Sequence, residues 1–143
     1  MIDISEKEVV KREAIAEGFI SLKKATINAI LDGKVKKGNV IEASKIAGVL
    51  GAKMTPQIIP HCHPVPLESV STQVEVKEDR VTVTCTVKAQ YKTGVEMEAL
   101  TCVNSMLLTI WDMVKYMEKD KRGQYLNTEI SGIKVQMKKK SKD

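Results

Sequence analysis

Apolar residues recur three and four positions apart through Leu100, Val103, Leu107, Ile110 and Val114, with Met106, Trp111, Met113 and Met117 widening the stripe. That period marks a helix with one buried face. Thr93 and Glu96 have the spacing of a capping box, and neither Pro nor Gly interrupts residues 95–118. The pattern therefore predicts a long core helix over residues 93–118. A second, polar row follows on the same helix. Glu98, Ser105 and Asp112 are seven residues apart, flanked by Thr101, Thr109 and Lys115. Positions seven apart differ by only about 20° around the axis. A solvated face would give this spacing too, but the apolar surroundings favour a stripe lining a cleft. Asp112 and Lys115, at i and i+3, can touch and bias each other's proton affinity.

Alternation marks the strands. Val70, Thr72, Val74 and Val76 oppose Ser71, Gln73, Glu75 and Lys77, and Val81, Val83, Cys85 and Val87 oppose Thr82, Thr84 and Thr86. With turn-like Glu78-Asp79-Arg80 between them, they predict an antiparallel hairpin with one buried face. Ile133, Val135 and Met137 predict a last strand. Residues 2–20 fit either period: propensity favours a helix in KEVVKREAIAEG, whereas Ile15, Glu17 and Phe19 alternate with Ala14, Ala16 and Gly18. Ser21 reads as the N-cap of a short helix with Leu22, Ala25, Ala29 and Ile30 on one face, ended by Gly33. A further helix over residues 40–52 is expected to bury Ala43, Ile46, Ala47 and Leu50. Three prolines in IIPHCHPVP, residues 58–66, force an extended, rigid course.

If the first segment is a strand, the order is β, α, α, β, β, α, β. That predicts an α+β protein: a ferredoxin-like βαββαβ antiparallel sheet with helices on one face plus one added helix. The 143 residues form one domain, with hydrophobic and charged fractions of 43% and 29% typical of a globular protein. No apolar run reaches the roughly 18 residues of a membrane span, and the first twenty residues carry charges throughout, which excludes a secretory signal. Cys62, Cys85 and Cys102 are odd in number and lack a C-x-x-C pair, which suits a reducing cytoplasm. The net charge of +5 is concentrated in residues 138–143, where four lysines face one aspartate. That block reads as a disordered basic tail. With only 3% aromatics there is little on which to stack bases, so wholesale nucleic-acid binding is not expected.

Candidate chemistry is scattered. His61, Cys62 and His63 are all zinc-ligand types, but no second ligand pair has suitable spacing, so no metal is expected. In a proline-rigid loop, histidine is also a fitting acid, base or ring-binding donor. Lys36, Lys37 and Gly38 precede a helix and offer charge and N–H groups to an anion. The Gly33-x₄-Gly38 spacing mimics a phosphate-binding loop, but Asn39 stands where its lysine should be. Lys53, just after the second helix, is a similar cation. Glu96 is expected to be engaged in capping, leaving Glu98 freer for a ligand. From the residues alone these point to an acid–base enzyme with a phosphorylated substrate.

Taken together, the opening IDIS with Arg12-Glu13-Ala14, DGKVKKGNV with AGVLGAK, IIPHCHP, KTGVEMEALT and LTIWDMVK resemble the cyclic pyranopterin monophosphate synthases, the molybdenum-cofactor biosynthesis protein C family. The likeness spans residues 2–120. It implies a ferredoxin-like fold assembled as a homohexamer, a trimer of dimers, with sites between subunits. It also implies a cytoplasmic lyase converting (8S)-3′,8-cyclo-7,8-dihydroguanosine 5′-triphosphate to cyclic pyranopterin monophosphate and diphosphate, with no cofactor. By position, Asp112 resembles the catalytic acid/base, with Lys115 and Lys37 as catalytic lysines. His61, Cys62 and His63 match one substrate-binding set and Met97 with Glu98 another, beside Glu96. Arg12 and Lys53 resemble phosphate-facing cations.

One geometric tension arises at once. Glu98 and Asp112 are fourteen residues apart, about 21 Å along a helix, so they cannot act on one atom from one chain: either the elongated nucleotide spans them, or they serve different sites at a subunit boundary. The chain also departs from the lysine- and glycine-rich KSGGKSG-like ending of many relatives, reading NTEISGIKVQMKKKSKD instead. Two rival functions share the same predicted elements: an RNA-binding ferredoxin-like module, and a zinc-stabilised interaction protein held by His61 and Cys62.

Overall fold

The computed structural model describes residues 1–142. Its elements run β1 (Val10–Ser21), α1 (Lys24–Leu31), α2 (Val40–Lys53), α3 (Thr55–Ile58), β2 (Leu67–Val76), β3 (Arg80–Tyr91), α4 (Glu96–Glu118) and β4 (Glu129–Ser141). The strands form one sheet in the order β2-β3-β1-β4, every neighbouring pair antiparallel. With helices between β1 and β2 and between β3 and β4, this is the ferredoxin-like plan expected from the alternation. The two-turn α1 and the single-turn α3 flank α2.

The ambiguous first segment is a strand. Arg12, Ala14, Ala16, Gly18 and Ile20 face inward, and the odd-numbered positions between them are only half-buried. Helix propensity loses because the strand's small residues form the floor on which α4 lies, beside the buried Val81, Val83, Cys85, Val87 and Ala89 of β3. From α4 come Cys102, Val103, Met106, Leu107, Ile110 and Val114, all fully buried.

Four local expectations are corrected. Ser21 ends β1 rather than capping α1. The helix starts at Lys24, and the Lys23 N–H donates to Glu118 Oε2 across the fold, 3.1 Å. Thr93 and Glu96 make no capping box: α4 begins at Glu96 after Val95 with no side-chain cap, because Glu96 is drawn to Lys138 at 2.6 Å. The segment 138–143 is not a disordered tail through its described part. Residues 138–141 extend β4 along β1, Lys138 opposite Ala14 and Ser141 opposite Lys11, because β1 itself runs on to Val10 and offers them ladder partners. Asp143 lies outside the described residues.

The fourth correction concerns α2. It was expected to bury Ala43, Ile46, Ala47 and Leu50, yet Ile46 and Leu50 are 62% and 53% exposed. The helix instead buries Ser44, Gly48, Gly51 and Ala52. Close approach is the reason. A Cβ on Gly48 would meet Met106 Cγ at 2.7 Å, and one on Gly51 would collide with the Ser105 side chain. This contact also changes the reading of the polar stripe on α4. Ser105 lies beneath α2, and Thr101 and Thr109 return their hydroxyls to the Met97 and Ser105 carbonyls. Only the two ends of the stripe, Glu98 and Asp112, are left for chemistry.

Cys85 and Cys102, placed on buried faces by the sequence pattern, form a disulfide joining β3 to α4 across a separation of 17 residues. Cys62 is the free cysteine among the described residues. The odd cysteine count without a C-x-x-C pair therefore carries no information about the compartment. Among the described residues no helix is long and apolar enough to cross a membrane.

Candidate active site

At the C-terminal half of α4, Asp112 gathers two lysines. Lys115 Nζ stands 3.0 Å from Asp112 Oδ1, and Lys37 Nζ stands 3.2 Å from Oδ2 while also donating to the Asp112 carbonyl at 3.0 Å. Lys115 follows from helical spacing, but Lys37 is brought in by the loop between α1 and α2. Val35 buries itself in an otherwise basic run, and the Tyr116 hydroxyl accepts from the Lys36 N–H at 2.8 Å. Gly33 and Gly38, with φ of 67° and 115°, let the loop turn at both ends. Hydrogen bonds first from Lys115 and then from Lys37 hold the Asp112 carboxyl below the usual range, and Asp112 in turn raises Lys115. At neutral pH the cluster is thus one carboxylate between two ammonium groups, open to solvent.

The first turn of α4 carries the second group. Cys62 Sγ donates to Glu98 Oε2 at 3.8 Å, and Glu98 is 2% exposed with no hydrogen-bond partner on Oε1. Burial raises the Glu98 carboxyl, and burial followed by the charge of Glu98 raises the Cys62 thiol. A buried acceptor without a partner is costly, so this oxygen is available to a ligand donor. Two cavities lie at this end of α4. One of about 630 Å³ is lined by His61, Cys62, His63, Glu96 and Met97. The other, about 510 Å³, is lined by Glu98, Lys53 and the apolar Pro56, Val65 and Val70.

Arg12 is 9% exposed and clamps the chain entering this turn, its Nε and Nη2 donating to the Tyr91 and Lys92 carbonyls at 3.3 and 3.1 Å. Glu96 opposes its own burial by pairing with Lys138, with Arg12 adding a smaller effect, and its carboxyl stays below the usual range. Lys138 is a contact the sequence pattern missed, because the alternation of β4 breaks into lysines there. The pairing of Trp111 with Tyr125 was equally invisible, since a loop residue has no period to read.

The expected site residues therefore fall into two sets. Lys37, Asp112 and Lys115 converge at one end of α4. At the other end His61, Cys62, His63, Glu96 and Met97 line one cavity, Glu98 and Lys53 line a second, Cys62 touches Glu98, and Arg12 holds the chain entering the turn. About 21 Å of helix separates Glu98 from Asp112. Among the described residues no three His, Cys, Asp or Glu side chains converge as a metal site.

Fold and site together define an α+β protein of ferredoxin-like topology, with acid–base and cationic groups at both ends of one core helix. The chain belongs to the MoaC family, whose sequence model matches residues 1–141. It is 57% identical over 141 residues to a probable cyclic pyranopterin monophosphate synthase of Sulfolobus acidocaldarius, covering 99% of each chain. Proteins of the same description from Sulfurisphaera tokodaii and Thermococcus kodakarensis are each 54% identical over 143 residues, the whole of this chain and 95% and 92% of theirs.

The RNA-binding alternative is not favoured by this match or by the sheet. The outward face of β3 offers Thr82, Thr84 and Thr86, and Phe19 on β1 is covered by the Arg80 guanidinium at 4.2 Å. Nor does the match favour the zinc-stabilised alternative held by His61 and Cys62.

Proposed function

We propose that this chain catalyses formation of cyclic pyranopterin monophosphate from the cyclised dihydroguanosine triphosphate, expelling diphosphate, in molybdenum-cofactor biosynthesis. The observation that carries this is the Lys37–Asp112–Lys115 cluster. Closing a cyclic phosphate needs a substrate hydroxyl to attack the α-phosphorus while the bond to the diphosphate breaks. Asp112, held ionised, takes the hydroxyl proton. The two ammonium groups neutralise charge building on the phosphate oxygens and the departing diphosphate. At the other end, Glu98 Oε1 accepts from the N–H edge of the guanine-derived ring, with His61, Cys62, His63 and Met97 around it. Purified protein given the cyclised nucleotide is expected to release one diphosphate per pterin product; no release would end this reading.

A cytoplasmic homohexamer, a trimer of dimers, completes the proposal. Two half-sites about 21 Å apart on one helix are too distant for one reacting centre, so a neighbouring copy supplies the missing half. The exposed Ile46, Leu50, Met54 and Ile58 supply apolar surface for such a contact.

Replacing Glu98 by Gln should separate function from stability. A buried carboxyl with a raised folded-state pKa binds protons that the unfolded chain has already lost. Stability is therefore fully present below the unfolded value of about 4.3 and falls as pH rises toward the folded one. Glu98→Gln lacks that cost, so thermal denaturation should find it as stable as the parent at pH 4 and more stable at pH 8. Its KM should rise by about tenfold to a hundredfold, the worth of a hydrogen bond to a charged group. An unchanged KM would remove Glu98 from substrate binding.

A further inference from the structure

Of the two lysines on Asp112, one is placed by the helix that carries the carboxylate and the other is not. Lys37 belongs to the connection between α1 and α2, and both of its contacts are solvated: the Asp112 carbonyl at 3.0 Å and Oδ2 at 3.2 Å. Its side chain has four flexible carbons. An exposed ion pair contributes only about 0–1 kcal/mol, too little to order a loop as well as a side chain. Yet misplacing a catalytic group by about 1 Å can cost on the order of 100-fold in rate. Something else has to bring the loop to α4.

The loop itself has hinges at both ends. Gly33 and Gly38 have φ of 67° and 115°, and nothing lies within 4 Å of where their Cβ atoms would be. Between them Val35 is buried. The next residue makes two contacts with one tyrosine of α4. The Lys36 N–H donates to the Tyr116 hydroxyl at 2.8 Å, and the Lys36 ammonium stands 5.6 Å from the centre of the same ring.

Tyr116 and Asp112 are four positions apart, so they are neighbours on one face of α4, about 6 Å apart along its axis. Lys36 and Lys37 are consecutive, with Cα atoms about 3.8 Å apart. One turn of helix thus receives two successive loop residues: Tyr116 takes the main chain of Lys36, and Asp112 takes the side chain of Lys37. A bond to main chain fixes where the following residue starts, which a contact at the end of a long side chain does not.

We propose that Tyr116 is a positioning residue for Lys37: its hydroxyl latches the hinged loop to α4 at Lys36, so that the next side chain is delivered to Asp112. This rests on the reading of Lys37, Asp112 and Lys115 as the catalytic cluster.

The test is a double-mutant cycle of Tyr116→Phe and Lys37→Ala, read by steady-state diphosphate release and by the ¹³Cγ NMR titration of Asp112. Tyr116→Phe keeps the half-exposed ring and removes only the acceptor, so the fold should persist while kcat falls about fivefold, the worth of one hydrogen bond. In the Lys37→Ala background the same change should cost nothing further, because there is no lysine left to place. The Asp112 titration should move up toward the usual carboxylate range in Tyr116→Phe, and should not move on adding Tyr116→Phe to Lys37→Ala. A merely structural residue would lower kcat equally in both backgrounds and leave the titration in place. Full kcat in Tyr116→Phe, additive losses, or an unmoved Asp112 titration overturns the proposal and leaves the synthase reading intact. If the parent protein releases no diphosphate, the synthase reading fails and the titration cycle alone decides the role of Tyr116.

Discussion

Asp112→Asn is expected to lower kcat for diphosphate release by about 10³-fold, within the range that a positioned general base contributes. Asn keeps the size of the side chain, its one amide oxygen can accept from one lysine, and Lys37 keeps its bond to the main-chain carbonyl of residue 112, so the fold should survive. What it lacks is a basic oxygen. Because the two lysines hold the carboxyl below its usual range, the parent enzyme should keep activity as pH falls and lose it only once Asp112 protonates. On the alkaline side Lys115 is raised by Asp112, so its limb should lie above the ordinary lysine value of about 10.4. Removing Asp112 withdraws that support, and the alkaline limb of any residual activity should move down. Stopped assays of diphosphate across pH check both statements. An Asn variant as active as the parent would exclude Asp112 as the base.

The second large effect is on stability. The disulfide between Cys85 and Cys102 closes a 17-residue separation that contains the whole of the entry into α4. Constraining such a loop in the unfolded chain stabilises by about 3 kcal/mol in the chain-entropy account. For a chain of this size that corresponds to roughly 10 °C in melting temperature. Alkylation in denaturant should therefore tag one thiol, Cys62, without reductant and three with it. Urea unfolding should show a lower midpoint in the reduced protein. Three reactive thiols without reductant, or coincident midpoints, would contradict the cross-link. Both cysteines are fully buried in the native protein, so mild reductant added to folded protein should act only through unfolding.

These two effects come from opposite ends of what a sequence can disclose. Asp112 and Lys115 are separated by three positions on a strongly periodic helix, and spacing alone put them in contact. The same holds for the hairpin and for β4, where alternation decided which side chains turn inward. The family resemblance then supplied roles that spacing never could, for His61 to His63 above all. Lys37 is different: its approach to Asp112 depends on Val35 anchoring a loop from 75 positions away. The buried face of α2 was misread because size decided it rather than hydrophobicity. Apolar Ile46 and Leu50 are too large for the narrow gap beside α4, where glycine and serine fit.

The local period of apolar and polar side chains thus determined that there is a long core helix, a hairpin and an outer strand, and that acid and cation sit one turn apart. That follows because the period is a property of neighbours in sequence. Tertiary structure alone decided that residues 10–21 are a strand, that residues 138–141 continue β4, and that Cys85 meets Cys102. It also decided that Glu98 keeps a buried oxygen without a partner. Each depends on which distant segment comes near and how much room it leaves, and close packing sets that only once the chain has folded.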